Sequence, residues 1–492
     1  MGNCATGVAG LDEILAGGLA KGRLFLVEGS PGTGKTTLAS QFLMAGAEQG
    51  EKVLYITLSE TEEELRDGAA SHGWTFPENF EVFELVPPES LLNDEQQQSL
   101  LYSSDLELGE TTRRIFEVFE RLQPARVVLD SLSEIRLLAQ SSLRYRRQIL
   151  ALKHYFSHND ATVMMLDDLT ADVMDKTVHS VAHAVIRLEE LSPSYGPERR
   201  RMRVLKYRGR RYRGGYHDFV IDTGGIRVFP RLVSAEHRFE FKRETVAIEN
   251  ARLNDLLGGG FDRGASNLIL GPAGTGKSLL ALSFVASAIA RGEGAAMFIF
   301  DEELGLLFER SKGLGIDVQA MVDTGRLAIE QIDAAELTPG EFSERVRVCV
   351  ETHGARTVVI DSLNGYQAAM PEEQALVLHM HELLQYLNRQ GTTTFLTVAQ
   401  HGLVGDMKAP VDVTYLADTV ILLRYFEALG RVRRAISVVK KRTGFHEDTI
   451  REFMIDRKGI TLGEPLTAFQ GVLRGVPSMV GDDAGLLDVK RG

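Results

Sequence analysis

The sequence predicts an α/β fold made twice in tandem, each copy a mostly parallel sheet with helices on both faces. Three observations predict it. The stretch GSPGTGKT at Gly29–Thr36 returns as GPAGTGKS at Gly271–Ser278, 242 residues further on. The surrounding text repeats with it: LDEILAGGLAKGRLFLVEGSPGTGKTTLASQFL (Leu11–Leu43) aligns with LNDLLGGGFDRGASNLILGPAGTGKSLLALSFV (Leu253–Val285), RVVLDSLS (Arg126–Ser133) with TVVIDSLN (Thr357–Asn364), and VLKYRG (Val204–Gly209) with VVKKRT (Val438–Thr443). Within each copy, short β-branched runs alternate with helix-length segments, the pattern of a parallel sheet covered by helices. A repeat period of about 235 residues duplicates a whole domain rather than building a solenoid.

Taken in order, LFLVE (Leu24–Glu28) is an apolar strand ending at the first glycine-rich loop, and LASQFLMA (Leu38–Ala45) opens a helix behind it. VLYITL, RVVLD and TVMML predict buried strands, as do AAMFIF, TVVID and TTFLTVA in the second copy. TRRIFEVFERL and EFSERVRVCVETH have helical spacing. RRRMRVLKYRG and RRAISVVKKRTGFH close the copies as antiparallel hairpins. The expected division is a first domain over 1–232, a linker over 233–244, a second domain over 245–475 and a flexible tail over 476–492.

The bulk numbers exclude several classes. With 492 residues, 44% hydrophobic and 25% charged, each copy can bury a core. A net charge of −13 argues against non-specific coating of nucleic acid. Cys4 and Cys349 form no CxxC pair, so neither a zinc site nor a disulfide framework is expected, in keeping with a cytoplasmic protein. Met1–Gly10 lacks the basic start and apolar core of a signal peptide, and no apolar run reaches membrane-spanning length.

The loops carry the chemistry. GxxxxGK[ST] wraps a phosphate chain in backbone N–H groups at a helix start. Lys35 and Lys277 would reach the β- and γ-phosphates, while the Thr36 and Ser278 hydroxyls would hold Mg²⁺. Asp130 and Asp361 each close an apolar strand, where a carboxylate can hold the metal's water shell. Carboxylates that could position an attacking water follow another strand: Glu60 in TLSET, and Glu302 and Glu303 beside Asp301 in IFDEEL. Glu62, Glu63 and Glu64 read as helix-start acids. Each copy ends in a Lys-x-Arg strand, Lys206/Arg208 and Lys440/Arg442, whose side chains share one face and suit a neighbouring subunit's γ-phosphate. Arg199–Arg213 holds nine basic residues in fifteen, yet has little aromatic interleaving beyond Tyr207 and Tyr212.

Together these residues resemble the KaiC family, tandem RecA-like P-loop ATPases of the cyanobacterial circadian clock and its bacterial and archaeal relatives. The late segment Asp418–Ile455 carries the most specific likeness. The resemblance implies a double-ring homohexamer with ATP at the subunit interfaces, and Kai-type regulatory partners. It implies a slow ATPase in the first domain, and ATPase, autokinase and autophosphatase activities in the second. By position, Gly32, Thr33, Gly34, Lys35, Thr36 and Thr37 would bind ATP in the first domain, and Gly274, Thr275, Gly276, Lys277, Ser278 and Leu279 in the second. Lys206, Tyr207 and Arg208, and Lys440, Lys441, Arg442 and His446, would act across interfaces; Glu302 would be the kinase general base. Two departures stand out. The first domain has Ser59-Glu60 where the family has a Glu pair, and the family's adjacent Ser-Thr phosphorylation sites fall on Thr414-Tyr415. Tyr415 carries its oxygen several ångströms further from the backbone, so Thr414 is the favoured acceptor. Two other readings share these motifs: a nucleotide-gated scaffold for partner proteins, and a RecA/RadA-like DNA motor.

Overall fold

The computed structural model describes residues 2–85, 100–169, 177–193, 196–370, 373–400, 414–456, 459–474 and 478–479. By internal contacts the chain divides into two compact units, Met1–Arg231 and Leu232–Gly492. Each holds a nine-stranded sheet. In the first unit the strands are β1 Leu24–Gly29, β2 Val53–Thr57, β3 Phe80–Glu84, β4 Arg126–Asp130, β5 Thr162–Asp168, β6 Ala184–Leu191, β7 Arg199–Tyr207, β8 His217–Asp222 and β9 Gly225–Phe229. The second unit repeats them as β10 Ser266–Gly271, β11 Gly294–Ile299, β12 Leu327–Gln331, β13 Ala355–Asp361, β14 Thr393–Ala399, β15 Thr419–Ala428, β16 Arg431–Lys441, β17 Arg451–Asp456 and β18 Gly459–Pro465.

The strand order is β9-β8-β7-β6-β1-β5-β4-β2-β3, and β18-β17-β16-β15-β10-β14-β13-β11-β12 in the second unit, the same path with each label raised by nine. β6, β1, β5, β4, β2 and β3 run parallel, and β7, β8 and β9 continue the sheet antiparallel. The continuous apolar runs sit where both faces are covered: every residue of β1 and of β10 is buried. Alternate residues then serve opposite faces. Phe25 and Val27 pack with Leu38 and Phe42 of the helix Lys35–Glu48. Leu24 and Leu26 pack with Ile115, Phe119, Ile149 and Phe156 from the helices Leu100–Leu122 and Ser142–His158. In the second unit Ile269 joins Leu280 and Phe284 of the helix Lys277–Ala290, while Leu268 and Leu270 face Tyr366, Leu383 and Leu387.

The amphipathic segments read from the sequence fall in Leu100–Leu122 and in Pro339–Glu351. The second of these begins with Pro339 at N1 and with the Thr338 side chain accepting from Glu341 N–H at 3.2 Å. Among the described residues no helix is long and apolar enough to cross a membrane. The tail, 476–492, lies outside the described residues except for Ser478–Met479, which pairs with Phe469–Gln470.

Candidate nucleotide sites

Both glycine-rich loops leave the C-terminal end of a central parallel strand and run into a helix that starts at the loop lysine. Gly34 (φ 94°) and Gly276 (φ 102°) cap those helices in the left-handed region. A Cβ on Gly34 would meet Ile221 Cδ1 at 2.6 Å, and one on Gly276 would meet Ile455 Cδ1 at 2.3 Å. Only glycine satisfies both constraints. The buried hydroxyls of Thr33 and Thr275 donate back to Ser30 O (2.8 Å) and Pro272 O (2.9 Å), closing each loop on itself. Lys35 Nζ donates to Gly29 O and Ser30 O, both at 2.9 Å, and lies 2.7 Å from Asp168 Oδ1. Lys277 Nζ donates to Pro272 O at 2.9 Å, and burial pulls its ammonium below the ordinary lysine range, partly opposed by Asp361 and Asp301.

Asp130 ends β4 and stands near the loop helix, its Oδ2 3.5 Å from Thr36 Oγ1 and accepting from Tyr55 OH at 2.6 Å. Burial raises its carboxyl above the usual range despite the Tyr55 bond, and Asp168 adds to the rise. Burial likewise raises the Glu60 carboxyl, with the charges of Asp130, Glu64 and Asp168 adding to it. Thr57 Oγ1 pins the Glu60 turn by donating to Glu60 O at 2.7 Å and accepting from Glu60 N–H at 2.9 Å. Glu64 completes a capping box with Thr61, so the acids after Glu60 open a helix.

The second unit builds the same corner from different groups. Asp361 accepts from Thr397 Oγ1, and Asp301 from Ser362 Oγ. Glu302 and Glu303 part company. Burial raises the Glu302 carboxyl, with Asp361 and Glu303 adding to the rise against the ion pair to Arg310 at 2.8 Å. Glu303 caps the helix Leu304–Lys312, and the N–H groups of Gly305 and Leu306 hold its carboxyl below the usual range. Of the two, Glu302 is the one on which the Asp361 charge acts.

The Lys-x-Arg pairs lie on or just after β7 and β16, at the opposite end of the strands from the loops. Asp418 N–H donates to Ser266 O at 2.7 Å, Ser266 N–H to Asp418 Oδ2 at 2.9 Å, and Arg442 N–H to Asp418 O at 2.9 Å. The segment 414–418 therefore sits at the start of β10, whereas the loop leaves at its end, about 17 Å away at ~3.3 Å per residue. Lys440 Nζ donates to Thr414 O (2.9 Å) and Ala417 O (2.7 Å), and Arg442 Nη2 to Tyr415 O (2.7 Å). The Tyr415 side chain is 52% exposed. In the first unit Lys206 and Arg208 bond the carbonyls of His179 and Ser180 in the same way. There, burial together with Arg208 and Lys153 lowers the Lys206 ammonium, a sign of crowded positive charge.

Tyr207 and Lys441, between those cations, turn to the other side and fasten a loop of their own unit. Tyr207 OH donates to Gly18 O (3.1 Å) and accepts from Ala20 N–H (3.0 Å), while Lys441 Nζ donates to Leu257 O (2.7 Å) and Gly260 O (3.1 Å). His446 Nδ1 lies 3.0 Å from Glu447 O. The arginines of β7 are matched by acids: Arg200 with Glu190, Arg201 and Arg203 with Glu189.

Among the described residues no cluster of three or more His, Cys, Asp or Glu could hold a metal by itself. A hydroxyl beside one carboxylate, as Thr36 stands beside Asp130, suits Mg²⁺, which keeps waters and takes substrate phosphates as ligands. Sequence reasoning passed over Asp168, Tyr55 and Thr397. Asp168 carries the same signal as Asp130, an acid closing an apolar strand; the other two lie inside strand runs and have no local signature.

A family model described as the KaiC ATPase matches residues 4–233 and 248–467. Circadian clock protein KaiC3 of Synechocystis sp. is 27% identical over 484 residues, covering 96% of this chain and 94% of that protein. KaiC2 of the same organism is 28% identical over 488 residues, covering 96% and 83%. The circadian clock oscillator protein KaiC of Synechococcus elongatus is 27% identical over 484 residues, covering 96% and 92%.

Proposed function

The chain belongs to the KaiC family of ATPases, and on that premise we propose a double-ring homohexamer that hydrolyses ATP in its first unit and phosphorylates itself in its second. One observation carries the reading. In the second unit the glycine-rich loop and the pair Lys440/Arg442 lie at opposite ends of one sheet, and the cations bond the backbone of Thr414, Tyr415 and Ala417. A subunit cannot bring its own acceptor to its own loop, so the γ-phosphate must come from a neighbour.

In that arrangement the loop N–H groups and Lys277 hold the triphosphate, and the neighbour's Lys440 and Arg442 face its γ-phosphate. Ser278 and Asp361 would hold Mg²⁺, which neutralises charge on the phosphate oxygens. Glu302, kept in place by Arg310, takes the proton of the Thr414 hydroxyl. The Thr414 oxygen bonds to the γ-phosphorus as the bond to the β-phosphate bridging oxygen breaks, leaving ADP and phosphothreonine. In the first unit Glu60 orients a water for the same attack, giving ADP and inorganic phosphate. Ser59 stands where the family has a second Glu, which fits slow hydrolysis. Thr36 and Asp130 would be the first unit's metal-holding pair.

The test is phosphopeptide mass spectrometry after incubation with Mg-ATP. Phosphate is expected on Thr414 of the wild type, absent in Glu302→Gln. Mixing Lys277→Ala chains with Thr414→Ala chains should restore phosphate to the former. An unmodified 414–415 peptide throughout would leave the second unit an ATPase without kinase activity.

A further inference from the structure

The two loop lysines are held differently. An ammonium has three N–H donors, and those of Lys35 are matched by Gly29 O, Ser30 O and Asp168 Oδ1. Lys35 is 8% exposed, so little of it is open to water. Lys277 donates to Pro272 O and makes no ion pair among the described residues. Strand register explains the difference. Gly29 of β1 is level with Asp168 of β5, and Gly271 of β10 is level with Ala399 of β14. The same sheet position holds a carboxylate in the first unit and a methyl group in the second.

We propose that Asp168 sets the nucleotide affinity of the first unit by competing with the phosphate chain for Lys35, a competitor the second unit lacks. This rests on the reading of GSPGTGKT as a nucleotide site. A phosphate entering the loop must take an N–H from Lys35. The two carbonyl bonds belong to the loop backbone and stay with it; the carboxylate is on a different strand and 28% exposed, so it is the partner that yields. Once displaced, it stands as a like charge beside the triphosphate, in a corner that already holds Asp130 and Glu60. Asp168 is thus an affinity-determining residue that acts on Lys35, and the two rings of one assembly would load at different ATP concentrations.

The experiment measures binding of a slowly hydrolysed ATP analogue to the full chain. In a Lys277→Ala background, where the first unit alone reports, Asp168→Asn should tighten binding roughly tenfold or more, the scale of one charge-assisted hydrogen bond. In a Lys35→Ala background, Ala399→Asp should weaken binding to the second unit by a similar factor. The sign separates this role from a structural one, because damage to the corner weakens binding whereas loss of a competitor tightens it. Unchanged or weaker binding in Asp168→Asn overturns the proposal, as does an Ala399→Asp variant that folds and binds as before. If Lys277→Ala chains bind nothing with or without Asp168→Asn, while Lys35→Ala chains bind normally, the first loop is not a nucleotide site and both readings fall together.

Discussion

Asp130 and Asp168 end neighbouring strands with the same residue type and the same sequence signal, yet only Asp130 is repeated in the second copy. Asp130 recurs as Asp361 in the second copy, and the repeat drew attention to it. Asp168 has Ala399 as its counterpart, so the repeat hid it. Internal duplication exposes what the copies share and conceals what separates them. Tyr55 and Thr397 show a further limit: both support the strand-end Asp of their unit, from different strands and with different chemistry. No spacing rule connects them. At this scale Glu60 makes a pH prediction. Burial and neighbouring acids raise its carboxyl, so it protonates at a higher pH than an ordinary glutamate. Where the ionised form orients water, turnover must fall as pH drops, and begin to fall above the usual carboxylate range. Steady-state hydrolysis by Lys277→Ala chains should show this acid limb, and Glu60→Gln should be slow and flat across it.

Strands and helices followed the hydrophobic pattern closely, because buried parallel strands announce themselves as unbroken apolar runs. The runs TVMML and TTFLTVA became β5 and β14 at the same place in each sheet. What the pattern could not supply was direction across the sheet: Tyr207 and Lys441 sit inside the Lys-x-Arg triplets but serve their own units' loops. The loop helices supply the prediction here. Gly276 is left-handed, and a Cβ there would run into Ile455 of β17. Gly276→Ala should destabilise the second unit by about 1–3 kcal/mol and abolish nucleotide binding to it, leaving the first unit's binding intact. Chemical denaturation and analogue titration of the Lys35→Ala, Gly276→Ala chain would measure both effects.

Among the described residues each unit has a histidine kept neutral by its surroundings, His217 buried and His379 half-buried. His217 Nδ1 accepts from Arg231 N–H at 2.8 Å and Nε2 faces Arg213 O at 3.0 Å, which assigns the proton to Nε2. His379 lies between Ser343 Oγ and Tyr366 OH, 2.9 Å from each. Burial lowers both to about 4 from 6.5. The unfolded chain therefore takes up a proton near pH 6.5 that the folded chain refuses until about pH 4. Stability rises with pH across that window, and below pH 6.5 it should be lost at about 1.4 kcal/mol per pH unit for each histidine. Unfolding midpoints recorded between pH 7 and 4 should follow that slope, about half of it belonging to each unit; a flat profile would contradict the neutral assignment.

The separation of loop and cations along one sheet has a consequence for symmetry. A protomer that offers a phosphate loop at one end and Lys-x-Arg at the other presents two unlike surfaces. Two such protomers related by a two-fold axis could set each loop against the other's cations and would stop at a dimer. In the proposed ring the contact is heterologous, head to tail, and closure leaves no protomer with an unfinished site. An open chain of any length strands one loop without cations and one pair of cations without a loop. The proposed ring would thus draw on both ends of a single sheet, the end at Gly271 and the end at Lys440.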